Sequence, residues 1–152
     1  MKALALEAVA LGNTLSALVA EDSAAYTVVT DAYKLPKDTP DQQAAREAAI
    51  QRALLYASEV PLQTAEACAR VAELAAVAAE KGNTNAASDA GVSALLAEAA
   101  CRGAVYNVRI NVTSITDKTA AGPLAQKATA ALERARTAAA RATAAVEKNI
   151  GG

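Results

Sequence analysis

Apolar residues recur along this chain at the three- and four-residue steps of amphipathic helices, and the steps are interrupted at a few prolines and glycines. From Lys2 to about Tyr33, Leu4, Val9 or Leu11, Leu15, Leu18 and Val29 fall on one face, which predicts one long helix ending before Leu35-Pro36. Thr39-Pro40-Asp41 has the form of a helix start: Thr39 as N-cap, Pro40 in the first turn where a missing N–H does no harm, and Asp41 and Glu47 toward the positive end of the dipole. This second helix is expected to run to about Ser58. Pro61 is expected to open a third, carrying Leu62, Ala65, Ala69, Ala72, Leu74 and Val77 as far as Lys81-Gly82, where a basic residue and a glycine suit a C-terminus. Gly82 to Ser88 is turn-like, with Ser88-Asp89 as the expected N-cap of a fourth helix from Ala90 to Arg102. That helix has so little charge that it is expected to be the central, most buried one.

Ala104 to Ile115 reads two ways. Tyr106, Val108, Ile110 and Val112 alternate like a strand, while Val108, Val112 and Ile115 make a helical stripe; with no partner strand elsewhere, helix is favoured. Gly122-Pro123 is expected to break the chain before a last, alanine-rich helix from Leu124 to Asn149. Its small apolar positions look too irregular for sustained heptads, so close packing on the body is expected rather than a free coiled coil. The fold expected is an all-α, up-and-down bundle of five to six helices, orthogonally or antiparallel packed, forming one domain over residues 1–152.

Composition supports that class. Of 152 residues 53% are hydrophobic, but 44 are alanine, and there is no Phe and no Trp. Alanine is the best helix former and is depleted in strands, which argues against sandwiches, barrels and doubly wound sheets. A net charge of −1 lacks the basic excess of nucleic-acid binders. The longest uncharged run, Ala8 to Ala20, is short and polar for a membrane span, and no signal peptide is legible; a soluble, cytoplasmic protein is expected. There is no histidine, and Cys68 and Cys101 stand far apart in sequence. A metal site is therefore not expected, and the two cysteines read as small buried thiols rather than a disulfide.

With the usual nucleophilic, metal and phosphate-loop motifs missing, carboxylate, lysine, arginine and asparagine chemistry remains. Asp22, Tyr26, Val29 and Tyr33 follow one another at steps of four, three and four, which places the Asp22 carboxylate in line with an apolar stripe. A partly desolvated carboxylate there would suit proton transfer. The bland alternative is an ordinary solvated charge.

The run from Asp22 through Tyr26 to Ala32-Tyr33-Lys34-Leu35-Pro36-Lys37, then Arg46, Ala49, Gln51 and Ala57-Ser58-Glu59-Val60-Pro61-Leu62, resembles the cyclodeaminase domain of formiminotransferase-cyclodeaminase, a family that includes bacterial methenyltetrahydrofolate cyclohydrolases. The likeness continues through Gly82-Asn83-Thr84-Asn85-Ala86-Ala87-Ser88-Asp89-Ala90-Gly91-Val92, Gly103 to Val112 and Ile115-Thr116-Asp117. The resemblance implies a helical, homodimeric folate enzyme that takes no metal and no cofactor beyond its tetrahydrofolate substrate. It implies Asp22 as the catalytic residue. Lys34, Lys37 and Arg46 are then candidate partners for the folate glutamates, and Asn83, Asn85, Asn107 and Asn111, with Ser88 and Asp89, for the rest of the substrate. Capping and solubility are the other reading of these residues. The glycine-rich turn, roughly Pro-Gly-Gly-Gly-Ser, that family members carry ahead of the region matched by Met1 to Val19 is not in this sequence. That departure gives the second expectation, an inert helical dimer that binds folate or a partner protein.

Overall fold

A computed structural model describes residues 1–150. Four long α-helices and one short 3₁₀ turn account for it: α1 (Lys2–Tyr33), α2 (Pro40–Lys81), the 3₁₀ turn (Thr84–Ala86), α3 (Ala87–Thr113) and α4 (Lys118–Ile150). No strand occurs among the described residues. The all-helical expectation holds, and the count of five to six is replaced by four, because the expected breaks at Pro61 and Gly103 do not divide the chain and the one expected at Gly122-Pro123 falls earlier, between Thr113 and Lys118.

The start of α2 matches the sequence reading. The Thr39 hydroxyl accepts from the Gln42 N–H at 3.2 Å, and Gln42 Oε1 reaches back to the Thr39 N–H, also at 3.2 Å, a reciprocal capping box. Pro61, however, lies inside α2 instead of opening a new helix. Its ring is buried beside Val60 and Leu62, and the helix continues to Lys81. Gly103 likewise interrupts nothing. Cys101, Val105, Val108 and Ile115 are buried while Tyr106 and Ile110 face out, so 104–113 follows the helical stripe and the strand alternation fails. Ser88-Asp89 is not an N-cap, since α3 begins at Ala87; Asn83 caps the preceding 3₁₀ turn through Oδ1 and the Asn85 N–H. Nor does Gly122-Pro123 divide the chain. Asp117 Oδ1 accepts from the Thr119 and Ala120 N–H groups and starts α4 six residues earlier, and Pro123 sits in its second turn where the carbonyl it strands faces water.

Ion pairs and hydrogen bonds between helices fix the topology. Glu7 meets Arg70, and the Tyr56 hydroxyl meets Glu21 at 3.4 Å, so α1 runs antiparallel to α2. Asn111 meets Ala57 and Cys101 meets Ala65, so α3 is antiparallel to α2 as well. Glu73 pairs with Arg134 at 2.7 Å and Glu80 with Arg141 at 2.7 Å, each across 61 residues of chain, which makes α2 and α4 parallel neighbours. The hub is therefore α2, with α1 on one flank, α4 on the other and α3 over both α2 and α4. The expectation that the segment after Ala90 is the most buried fails: Val92, Leu95 and Leu96 are exposed, while α2 buries Ile50, Leu54, Val60, Leu62, Leu74 and a file of alanines.

Most of the core is alanine. Ala65, Ala69, Ala72, Ala76 and Ala79 of α2 and Ala128, Ala131, Ala135, Ala138 and Ala142 of α4 belong to one buried cluster, closed by Ala94, Ala97, Cys101, Val105 and Val108 of α3. The steps of three and four in α4 are regular throughout, against the sequence expectation of irregular spacing. Side chains this small let helix axes approach at about 8 Å, the short end of the usual range. Cys68 and Cys101 are free and buried, and burial pushes the Cys101 thiol up to about 11.

The first helix is held differently. Only Leu18, Ala25 and Ala32 are buried, and Leu6, Val9, Val19 and Tyr26 are exposed. An 18-residue window of α1 has mean hydropathy 1.6 with 6% of it buried, long and apolar enough by length and composition to cross a membrane. The sequence expectation against a span rested on the shorter stretch free of any charge. On α3, Val92, Leu96, Tyr106 and Ile110 face out in the same way.

Two outcomes follow. A Cβ built on Gly91 would stand 2.7 Å from Val146 Cγ2, so Gly91→Ala is expected to destabilise the α3/α4 contact by about 1–3 kcal/mol in chemical denaturation, and Val146→Ala to relieve most of that loss. Hydrogen bonds from Arg70 hold the Glu7 carboxyl below its ordinary value, those from Arg134 and Arg70 hold Glu73 down, and that from Arg141 holds Glu80 down. A depressed carboxylate contributes stability above its unfolded value of 4.5 and loses it as pH falls through the folded value. The melting temperature is expected to stay level from neutrality to about pH 5 and fall below pH 4.5, less steeply in Glu73→Gln.

Candidate functional site

Asp22 projects from the middle of α1. The inward stripe of that helix passes through Leu15, Leu18, Ala25 and Val29, and Asp22, four residues after Leu18 and three before Ala25, falls on it at the edge that faces α3. Its carboxylate is exposed and makes no hydrogen bond or ion pair among the described residues. The sequence expected it partly desolvated. The chain alone does not bury it, because α1 and α3 each pack on α2 and leave a trough between them.

Two clefts meet in that trough, and Asp22 and Asn107 line both. One, of about 360 Å³, is walled by Leu15, Leu18, Val19 and Ser23 of α1 and by Ala100, Gly103 and Ala104 of α3, with Thr64 of α2 on its floor. The other, of about 190 Å³, holds Ala25, Tyr26, Val29, Ala57 and Asn111. Together they are in the size range of small-molecule sites, mostly apolar with a few convergent polar groups. Asn111 is fixed: its Nδ2 donates to the Ala57 carbonyl at 2.6 Å. Asn107 and Asn111 are one turn apart on α3, so both amides face the trough from the side opposite Asp22. A depression of about 390 Å³ near the far end of α2 is lined by Glu80, Arg141 and Lys148, where the Glu80 and Arg141 charges already satisfy one another.

The other sequence candidates lie elsewhere. Lys34 pairs with Asp31 at 2.8 Å just past the end of α1. Arg46 donates from Nε and Nη2 to the Tyr33 carbonyl at 3.3 and 3.1 Å and stacks on the Tyr33 ring, closing that end of the helix. Lys37 lies in the following loop, its carbonyl accepting from Gln43. This cluster is about 18 Å along the axis from Asp22 by the helical rise. Asn83, Asn85, Ser88 and Asp89 are at the opposite end of the bundle, where a Cβ on Gly82 would approach Met1 Cε at 3.5 Å, some 30 Å from Asp22 by the same rise. One chain therefore gathers Asp22, Asn107 and Asn111 and separates them from the Asn83–Asp89 motif.

Sequence reasoning missed Thr64, Ser23 and Gly103. Gly103 leaves the α3 wall without a side chain at the cleft, and nothing lies within 4 Å of where its Cβ would be. A glycine inside an otherwise alanine-rich helix was the available signal. No group of three or more potential metal ligands occurs among the described residues.

Comparison with known proteins identifies the family. The family model described as formiminotransferase-cyclodeaminase matches residues 1–130. A methenyltetrahydrofolate cyclohydrolase of Methylorubrum extorquens is 45% identical over 108 residues, 71% of this chain and 52% of that protein. The formimidoyltransferase-cyclodeaminase of Gallus gallus is 37% identical over 136 residues, 90% of this chain and 25% of that protein. In three dimensions the chain superposes on the crystal structure of formiminotetrahydrofolate cyclodeaminase from Thermotoga maritima with a TM-score of 0.74 at 26% identity, covering 88% of this chain and 62% of that one. The chain thus spans about half the length of the cyclohydrolase and a quarter of the longer vertebrate protein.

Proposed function

Because the chain belongs to the formiminotransferase-cyclodeaminase family, we propose that it acts on a tetrahydrofolate carrying a one-carbon unit on N5 or bridging N5 and N10, as a cyclodeaminase or a methenyltetrahydrofolate cyclohydrolase. The observation that carries this reading is the Asp22 carboxylate, free of protein partners, on the ridge between two clefts and opposite the amides of Asn107 and Asn111. The names of the relatives in both chemistries support it.

The chemistry asks for one group that moves a proton. In cyclodeamination N10 attacks the carbon of the protonated formimino group, N5–CH=NH2+; the proton leaves N10 for that nitrogen, the carbon–nitrogen bond to it breaks, and ammonia departs, leaving the cationic methenyl bridge between N5 and N10. Asp22 takes the proton from N10 and returns it to the leaving nitrogen. In hydrolysis the same carboxylate takes a proton from water as its oxygen adds to the methenyl carbon and returns it to N5 as the N5–carbon bond breaks; the second water proton passes to solvent and the carbon stays on N10 as a formyl group. Neither route calls on a cofactor. Asn107 and Asn111 hold the ring system, and the apolar cleft wall of Leu15, Leu18 and Val19 accepts its flat face. Lys34 and Lys37 await the glutamate tail at the end of α1, and Arg46 supports that end through Tyr33.

A second copy of the chain covers the outward faces of α1 and α3. Val9 is 65% and Leu96 66% exposed, and the same two helices wall the trough, so covering them also withdraws Asp22 from water. A two-fold partner lying antiparallel is the arrangement that returns Asn83, Asn85, Ser88 and Asp89 to the neighbourhood of an Asp22.

Asp22→Asn is expected to lower turnover of 5-formiminotetrahydrofolate or 5,10-methenyltetrahydrofolate by about 10²- to 10⁴-fold, followed by absorbance of the methenyl form, and to change stability by less than about 0.5 kcal/mol. Full activity in that variant would remove Asp22 from the role. A wild-type chain without turnover whose melting temperature still rises with tetrahydrofolate would instead identify an inert folate binder. In sedimentation the chain is expected to run as a dimer at micromolar concentration, and Leu96→Glu as a monomer.

A further inference from the structure

Pro61 and Asn111 belong to different helices and different sequence motifs, yet one carbonyl connects them. A proline inside a helix has no N–H, so the carbonyl four residues earlier loses its helical donor. Here that carbonyl is Ala57, and it is buried. It is not orphaned, because Asn111 of α3 donates to it from Nδ2 at 2.6 Å. An unmet buried carbonyl would be destabilising, so the cross-helix bond replaces the missing helical one.

The bond also settles which way the amide faces. Ala57 offers only an acceptor, so the atom of the Asn111 amide that meets it must be the nitrogen. Oδ1 then points away from α2. It has no partner among the described residues, no buried side-chain polar atom among them is left unsatisfied, and Asn111 lines the cleft with Asp22, Asn107 and Tyr26. Were residue 61 to carry an N–H, Ala57 would be served within its own helix and Asn111 would be free to rotate either end of its amide toward the cleft.

We propose that Pro61 is a positioning residue: by withholding its N–H it frees the Ala57 carbonyl to clamp Asn111, so that Oδ1 and the second Nδ2 hydrogen are presented in fixed order to the cleft and select a ligand edge carrying a donor beside an acceptor. Resting on the folate reading above, that edge is the amide-like ring edge of the reduced pterin. A rotating amide would accept either order of donor and acceptor, and the clamp removes that tolerance.

The test compares Pro61→Ala, Asn111→Leu and the double variant with wild type, using tetrahydrofolate as the titrant in calorimetry and steady-state turnover alongside. Pro61→Ala restores a helical N–H to Ala57, so its melting temperature is expected to hold or rise while the tetrahydrofolate dissociation constant and KM rise about five- to tenfold, with kcat falling less. The double variant is expected to bind no more weakly than Asn111→Leu alone, since both changes remove the same contact. In ligand-free protein, the Asn111 side-chain amide is expected to show one slowly exchanging hydrogen that is lost in Pro61→Ala, a readout that holds even if one variant folds poorly. Wild-type affinity in Pro61→Ala, full additivity in the double variant, or an Asn111 amide that exchanges freely in wild type would each overturn the proposal. A wild-type protein that binds no tetrahydrofolate would overturn the folate reading and the pterin edge with it, while the exchange result would still decide the clamp.

Discussion

An alanine side chain removes little apolar surface from water, so a core made of alanine must be extended in length where a core of leucine and phenylalanine would be thick. This constraint governs the molecule. Every helix runs long, from 27 residues in α3 to 42 in α2, and each long helix absorbs a residue that would end a shorter one. Pro61 and Pro123 stay inside helices because breaking α2 or α4 at those points would take buried alanine pairs out of register along the whole seam. Close approach follows from the same cause. With methyl groups between the axes, the ends of arginine and glutamate side chains reach across from one helix to the next, and Arg70 and Arg134 meet on Glu73 to tie α1, α2 and α4 into one chain of charges.

Much of the fold was legible in the sequence, and what was not has a common reason. The span of α1, the capped start of α2 at Thr39 and the end of α2 at Lys81 are set by neighbouring residues, and local signals report them faithfully. The errors fall at Pro61, Ser88-Asp89 and Gly122-Pro123, where local preference is overridden by a contact from far along the chain or by a stronger cap nearby. For Pro61 that contact is Asn111; for α4 it is Asp117, a better starting residue than the glycine and proline behind it. The regular steps of α4 were obscured because alanine occupies both inward and outward positions, so the pattern of burial has no counterpart in a pattern of residue types.

The site was legible to the same extent. Asp22 could be singled out because a carboxylate interrupts an apolar stripe, and Asn107 and Asn111 because they repeat at one turn. Their meeting with Asp22 depends on α1 and α3 lying side by side on α2, which no local pattern specifies. The separation of Asn83 and Asn85 from Asp22 was equally invisible, since order along a sequence carries no information about which end of an antiparallel bundle a motif occupies. Lys34, Arg46 and Tyr33 form a cluster that finishes a helix: Lys34 pairs with Asp31, and Arg46 holds the Tyr33 carbonyl.

The paired charges between α2 and α4 have a further property. Glu66, Glu73 and Glu80 recur every seven residues, and so do Lys127, Arg134, Arg141 and Lys148. Sliding α4 by one heptad would therefore set Glu66 against Arg134, Glu73 against Arg141 and Glu80 against Lys148, and most of the alanines would again meet alanines. Charge and small size together describe a ruler whose divisions are all alike. The unique marks on it are the few side chains that break the monotony: Leu132 in its buried place, and Val146 seated where Gly91 has no Cβ. In a seam built mostly of alanine, the information that selects a single alignment resides in its exceptions.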